Sequence, residues 1–463
     1  MKALDRENVI ALFFYLTGLF LIVGFGAYQV VFWMAYLIFS AGFLFLIRHK
    51  PKINVGRETR ALILLFVLAL GLRLAFLWSP PQLSLDLEAY ATFGKLMLDG
   101  KSPFIGTHMS SYPPLIILFF PVVYLVDESI FFMRLVMVLA DSIIPLLIFM
   151  LSKKYLKTNL AFLAALFYAI NPVSIIEVGW SGHFDPLPSL FMLLSLYLLT
   201  ERRFAASSVS LAVASMLKWY PIFILPVFIA SMKKEGGKVV NYLAIFMIVC
   251  LLSFAPLFIL FPDDFSSALM NRVMNAETSY SRSLTKCVYD VSQRILPLGR
   301  DIRPLVFHIL IGFAVLASLA YLTGRRNIFK KLFVVVCILF IAHMTLFSII
   351  NLYALFTGYG NMHQLSRLYL ISFSAITLFF LIKLTKHVQS RDFNTQNQIA
   401  WIALILQILI IAQPNFAGKY FIWIIPFILL LKDEKIRDTW LMVQVFSLPI
   451  FYYGPPYFAA LLP

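Results

Sequence analysis

Unbroken apolar runs of roughly 17–22 residues recur along this chain, and no other feature restricts its fold as severely. Each is long enough to cross a hydrocarbon layer about 30 Å thick as a helix. The chain has 463 residues, 61% of them hydrophobic and only 13% charged. Soluble domains carry about a quarter charged residues, and without long polar loops this much Phe, Leu and Ile has no aqueous hiding place. The runs are continuous, without the in–out alternation of a membrane barrel. Helices satisfy their own backbone groups inside lipid. The expected fold class is therefore all-α: a polytopic transmembrane helical bundle of about 13–17 spans, with juxtamembrane helices in its first outer loop.

The net charge of +16 invites comparison with nucleic-acid binders, but its distribution excludes that class. Lys and Arg fall in short clusters between apolar runs, as positive-inside loops require. Lys2 and Arg6 place the N-terminus inside. Two helices, roughly 9–27 and 30–47, return the chain to the cluster Arg48, Lys50, Lys52, Arg57 and Arg60. A third, roughly 61–78, delivers it to the outside at Pro80-Pro81. The run "YPPLIILFFPVVYLV" is too short to span, and reading it as juxtamembrane or re-entrant keeps Lys153, Lys154 and Lys157 inside. Residues 1–60 thus form an N-terminal hairpin with its cytoplasmic loop, and 61–463 a larger membrane domain whose first outer loop covers 79–130. Three cysteines give no disulfide framework.

That first outer loop is the most informative stretch. It presents Asp86 and Glu88 just after a membrane exit, and Leu87, Tyr90, Ala91, Gly94 and Leu98 follow at helical spacing. An amphipathic helix along the membrane surface is expected here. Asp86 has two compatible readings. One is an N-cap, which needs only a side-chain oxygen on free N–H groups. The other is a general base, which needs an ionised and oriented carboxylate.

The run "DLEAYATFGKLMLDGKSPFIGTHMSSYPPL" resembles the first outer loop of the GT-C glycosyltransferase superfamily, closest to its mannosyltransferase-like prokaryotic branches. The shared pattern is an acidic pair (Asp86, Glu88), an aromatic residue soon after (Tyr90), Gly100-Lys101-Ser102-Pro103-Phe104, and Tyr112-Pro113-Pro114. "NPVSIIEVGWSGHFDPLPSLFMLLSLYLL", "LKWYPIFILPVF" and "QPNFAGKYFIWIIPFILLL" extend it more weakly. The resemblance implies a polyprenyl-phosphate sugar donor, Asp86 as catalytic base, and Glu88 as its auxiliary or as a metal ligand. Tyr90 and Tyr112 would border the substrate.

Other outer residues complete the candidate site. Asp185-Pro186 reads as an N-cap followed by proline at the first helical position, or, with His183, as a sugar or metal contact. A divalent ion, Mg or Mn, would require Asp86, Glu88, His183 and Asp185 to converge. Lys218 ends a helix, where a cation complements the dipole, or else joins the outer cations that meet the donor phosphate. Arg367 and Lys419 each begin an inward-running helix, against both charge bias and dipole, so an anion such as phosphate is expected there, with His363 and Tyr420 beside them. Arg73 and Asp141 lie inside spans, and an interhelical ion pair accounts for both.

These readings give an expected function: transfer of a hexose, mannose by the resemblance, to an acceptor hydroxyl on a lipid, glycan or protein. Transfer would be inverting and would occur on the outer face of a prokaryotic plasma membrane, among membrane lipids. The alternative class, a transporter or flippase of a lipid-linked sugar, calls for internal repeats and broken helices at the bilayer midplane.

Overall fold

A computed structural model of the chain describes residues 6–25, 29–51, 57–78, 85–104, 112–234, 236–274, 394–412 and 418–453. Every regular element among them is helical, so the all-α expectation holds. Two compact units divide the chain. The first takes Met1–Met270, Asn394–Ala403 and Gly418–Leu448 and contains every side chain discussed below. The second takes Asn271–Phe393, Leu404–Ala417 and Pro449–Pro463, and its described residues are helical.

Among the described residues, five helical stretches are long and apolar enough to cross a membrane: Glu7–Gly24, Glu58–Leu77, Ile130–Lys153, Thr158–Trp180 and Val239–Leu260. The chain is an integral membrane protein. Shorter apolar helices, such as Pro186–Thr200 and Phe204–Leu217, pack among them. The remaining spans expected between 275 and 393 lie outside the described residues.

The hairpin of α1 (Arg6–Phe25) and α2 (Gln29–His49) forms as expected. Tyr15 in α1 packs its ring 4.4 Å from Phe39 in α2. Two buried hydroxyls tether the hairpin: Tyr15 Oη donates to the Ile170 carbonyl at 2.9 Å, and Tyr36 Oη to that of Val445 at 3.1 Å. The next helices are α3 (Glu58–Leu77), α4 (Leu85–Leu98), α5 (Pro114–Val126), α6 (Ile130–Lys153) and α7 (Thr158–Ala169).

Helix α4 is amphipathic as its spacing predicts. Leu87, Tyr90, Phe93 and Gly94 are buried while Glu88, Thr92 and Lys95 face out. Tyr90 stacks on Phe120 of α5 at 4.2 Å and 6°. A Cβ on Gly94 would stand 2.5 Å from the Tyr124 Cβ, so the two helices meet this closely only at glycine. Helix α5 has 13 residues, too few for a bilayer, and begins with proline at its first position.

Arg73 and Asp141 join α3 to α6 in a fully buried network, as the sequence suggests. The guanidinium also donates to the carbonyls of Ala69 and Ala169, each at 2.9 Å, and to Ser174 Oγ at 2.7 Å. Tyr168 Oη donates to Asp141 Oδ1 at 2.6 Å and Ser174 Oγ to Oδ2 at 2.6 Å. Charges this deep in a membrane bundle survive because each is neutralised and hydrogen-bonded.

The two ends of this bundle differ in chemistry. At one end Lys153 pairs with Glu58, Lys154 with Glu201, and Lys50 with Glu434. These are the half-exposed members of the basic clusters. Helix α3 starts at that end and leads at its other end to α4, which carries Asp86.

Candidate functional site

The site is assembled from chain termini of short elements. After α7 come the single turn α8 (Pro172–Ser174) and a π-helical turn, Ile175–Trp180, a rare geometry that concentrates at functional positions. It buries Glu177. Gly182 follows at φ +69°, where a Cβ would lie 2.8 Å from Arg134 Cγ and 2.9 Å from Leu87 Cδ2. Only glycine fits there, and the turn it permits projects His183 back toward α4.

Next come α9 (Pro186–Thr200) and α10 (Phe204–Leu217), then a 3-10 turn, Tyr220–Ile224. The helices α11 (Leu225–Lys234), α12 (Val239–Leu260), α13 (Pro262–Met274) and α14 (Thr395–Ala412) follow. A second 3-10 turn, Gly418–Tyr420, opens α15 (Phe421–Leu429), and α16 (Glu434–Tyr453) ends the described chain.

Two ion pairs define the site. Lys419 Nζ donates to Asp86 Oδ2, and His183 Nδ1 lies 3.2 Å from the same oxygen. On the other side of the ring, His183 Nε2 is 3.4 Å from Glu177 Oε2. Burial acts to raise the pKa of Asp86, but the Lys419 charge and the His183 hydrogen bond outweigh it, holding the carboxyl well below its usual range. Lys419 moves the other way: burial alone would lower it, and Asp86 raises it, so the ammonium stays charged. His183 is lowered by burial and by the Lys419 charge, against the pull of Asp86.

In the second pair, Lys218 Nζ donates to Asp185 Oδ1 at 2.5 Å, and Trp423 Nε1 donates to that same oxygen. Asp185 is fully buried, and among the described residues its Oδ2 has no donor. The Lys218 ammonium stands 4.8 Å from the Phe184 ring centroid, 5.1 Å from Tyr420 and 5.0 Å from Trp423, an aromatic enclosure that favours a cation. Trp423 is fixed by stacking on Tyr220 at 3.8 Å and 8°. Burial lowers the Lys218 pKa, opposed by Asp185.

The structure thus unites Asp86, Tyr112, His183, Asp185, Lys218, Lys419 and Tyr420, but changes several of their roles. Asp185 directly precedes α9 yet makes no side-chain capping bond; its carboxylate turns to Lys218 and Trp423 because a buried acid gains more from a cation than from a helix terminus. Lys218 is the C-cap of α10, in extended conformation, and its charge goes to Asp185 and not to the helix dipole. Asp86 lies inside the first turn of α4 and faces Lys419 and His183. Glu88, one exposed step round the helix, does not join it. Tyr90 is core, stacked on Phe120, whereas Tyr112 is half-buried with its ring edge-on to Phe184 at 5.5 Å. His363 and Arg367 lie outside the described residues.

Among the described residues no three His, Cys, Asp or Glu side chains are placed to share a metal ion. Asp86 and Asp185 each hold an ammonium, and Glu88 is exposed on α4. Sequence reasoning missed Trp423 and Tyr220 as site residues. Both lie in the weaker stretches of the resemblance, "LKWYPIFILPVF" and "QPNFAGKYFIWIIPFILLL", where nothing in the spacing singles them out.

A multi-span helical membrane protein with a self-neutralised cluster of acids and lysines at one end of its bundle is the class these observations define. A search of curated proteins finds no match. The family model described as "GPI transamidase subunit PIG-U" matches residues 60–293, just over half of the chain, and the chain belongs to that family.

The family overturns the expected function. Its description is that of a transamidase subunit, so neither glycosyl transfer nor the alternative of a transporter or flippase stands, and with them fall the polyprenyl-phosphate sugar donor and the assignment as a hexosyltransferase. The GT-C resemblance keeps its meaning at the coarser level of a polytopic helical bundle.

Proposed function

We propose that this chain is a membrane subunit of a GPI-transamidase assembly and that it holds the lipid-linked glycan for the assembly's catalytic partner. The observation that carries this reading is the family match across 60–293, which takes in nearly all of α3 and the whole of α4 to α13, together with Asp86, His183, Asp185 and Lys218. The state of the acids supports a holding role. Asp86 and Asp185 are tied to lysines, which suits a rigid recognition surface better than a reacting centre. The site lies on the non-cytoplasmic face in this reading, since the opposite end of the bundle carries the basic clusters. Its partners are protein subunits and membrane lipid.

Deletion of the chain in its own cell tests the reading. GPI-anchored reporter proteins should then keep their C-terminal signals while the complete glycolipid accumulates. Normal processing of those reporters, or accumulation of a truncated glycolipid, counts against it.

A further inference from the structure

Asp86–Lys419 and Asp185–Lys218 lie within electrostatic reach of one another, and each pair is neutral within itself. An anion entering here would share an ammonium already neutralised by a largely buried carboxylate and bring a net negative charge into a poorly hydrated place, which is costly. A hydroxyl group imposes no such cost, because it is uncharged and donates and accepts at once.

The site has the matching unused capacity. An ammonium carries three N–H groups, and among the described residues Lys218 and Lys419 each give one, to an aspartate. An ionised carboxylate accepts about four hydrogen bonds, yet among the described residues none donates to Asp185 Oδ2, although Asp185 is fully buried. A fully buried carboxylate oxygen of this kind offers an acceptor to an entering donor. Tyr112, half-buried against Phe184, and Tyr420, against Trp423, add aromatic surface beside the two lysines.

We infer that this paired cluster binds the uncharged hydroxyl groups of a lipid-linked glycan, and not its phosphate. The inference rests on the proposed handling of a GPI lipid and specifies which chemistry of that lipid the site reads. It reverses the expectation that Lys218 and Lys419 meet phosphate.

The test uses the full-length chain in phosphatidylcholine nanodiscs, titrated with a GPI glycolipid, with inorganic phosphate and phosphate-free glycan as competitors. Affinity should change by less than about twofold between 50 and 300 mM NaCl, because a neutral contact is not screened. Phosphate-free glycan should compete, inorganic phosphate at 20 mM should not, and phosphatidylinositol without glycan should bind at least about tenfold more weakly. Asp185→Asn, which keeps the shape but removes the carboxylate charge and turns one of its two acceptor oxygens into an amide donor, should weaken binding by about tenfold. Competition by phosphate, or glycan-free lipid binding equally well, would overturn the inference and leave the proposed function standing. No binding of glycolipid by the folded wild-type chain would overturn both. The salt and competition arms use wild-type protein, so they decide between these outcomes even where Asp185→Asn folds poorly.

Discussion

Lys419 donates to Asp86 across 333 positions of sequence, and this bond fastens the first outer helix to the turn that opens α15. Both side chains are mostly buried, 13% and 19% exposed, so removing either leaves a charge in a poorly hydrated place. Lys419→Met or Asp86→Asn alone should therefore cost about 2–4 kcal/mol, below the largest losses seen for fully buried pairs. The double variant should recover part of that loss. A double-mutant cycle on unfolding in detergent reads the coupling directly; additive losses would show that the two residues do not act as a pair.

The same cluster sets the expected acid sensitivity. Asp86 has a folded pKa below its unfolded value of about 3.9, so its contribution is complete above that pH and is lost as pH falls toward the folded pKa. His183 also has a lowered folded pKa, so the unfolded chain takes up a proton first, in the window just below about 6.5. Stability should thus decline with acid in two stages. His183→Gln should flatten the upper stage and Asp86→Asn the lower one, read as unfolding midpoint against pH from 3 to 8. An unchanged upper slope in His183→Gln would mean the imidazole is not held neutral.

Arg73 and Asp141 offer the structural counterpart at a distance from the site. Arg73→Met should destabilise the bundle by about 3–5 kcal/mol by stranding Asp141, and Arg73→Met with Asp141→Leu should lose distinctly less. Thermal unfolding of the purified variants measures both. If the double variant were the worse of the two, the network would have to contribute net stability through its hydrogen bonds to Ser174 and Tyr168.

Parts of this arrangement were legible in the sequence and parts were not, for physical reasons. Run length and charge clustering gave the helical bundle, because lipid forces backbone groups to be satisfied within each span. The buried pair Arg73–Asp141 was readable because two opposite charges inside apolar spans have few other places to go. The partners of Asp185 were not readable. Lys218 and Trp423 stand 33 and 238 positions away, and the local signal, Asp-Pro before a helix, is the same one that marks an ordinary N-cap. The function misled for a related cause. The motif around Asp86 records where an acid is placed, whereas its chemistry depends on Lys419, which no spacing rule connects to it.

Gly182 is the hinge on which His183 depends. At φ +69°, with Arg134 and Leu87 within 3 Å of where a Cβ would sit, Gly182→Ala should cost about 1–3 kcal/mol and displace the imidazole. Histidine-selective 15N spectra, with His183 assigned from His183→Gln, report the displacement separately from the stability loss. An undisturbed His183 signal would place the cost in the backbone alone.

Trp423 separates ring packing from hydrogen bonding at the second ion pair. Its indole stacks on Tyr220 while Nε1 donates to Asp185, so two substitutions divide the roles. Trp423→Phe keeps an aromatic face against Tyr220 and beside Lys218 but removes the donor; the expected loss is about 1.5–3 kcal/mol, the range for a hydrogen bond to a charged group. Trp423→Leu removes the face as well and should cost about 1 kcal/mol more, from the lost aromatic stacking and the lost cation contact. Both variants leave Asp185 Oδ1 with Lys218 alone, which should make that lysine harder to deprotonate. Its rate of reductive methylation at pH 9 should therefore fall in Trp423→Phe, which keeps an aromatic face beside the ammonium, relative to wild type. Equal stability of Trp423→Phe and wild type would mean that Nε1 contributes nothing and that the tryptophan is held for its ring.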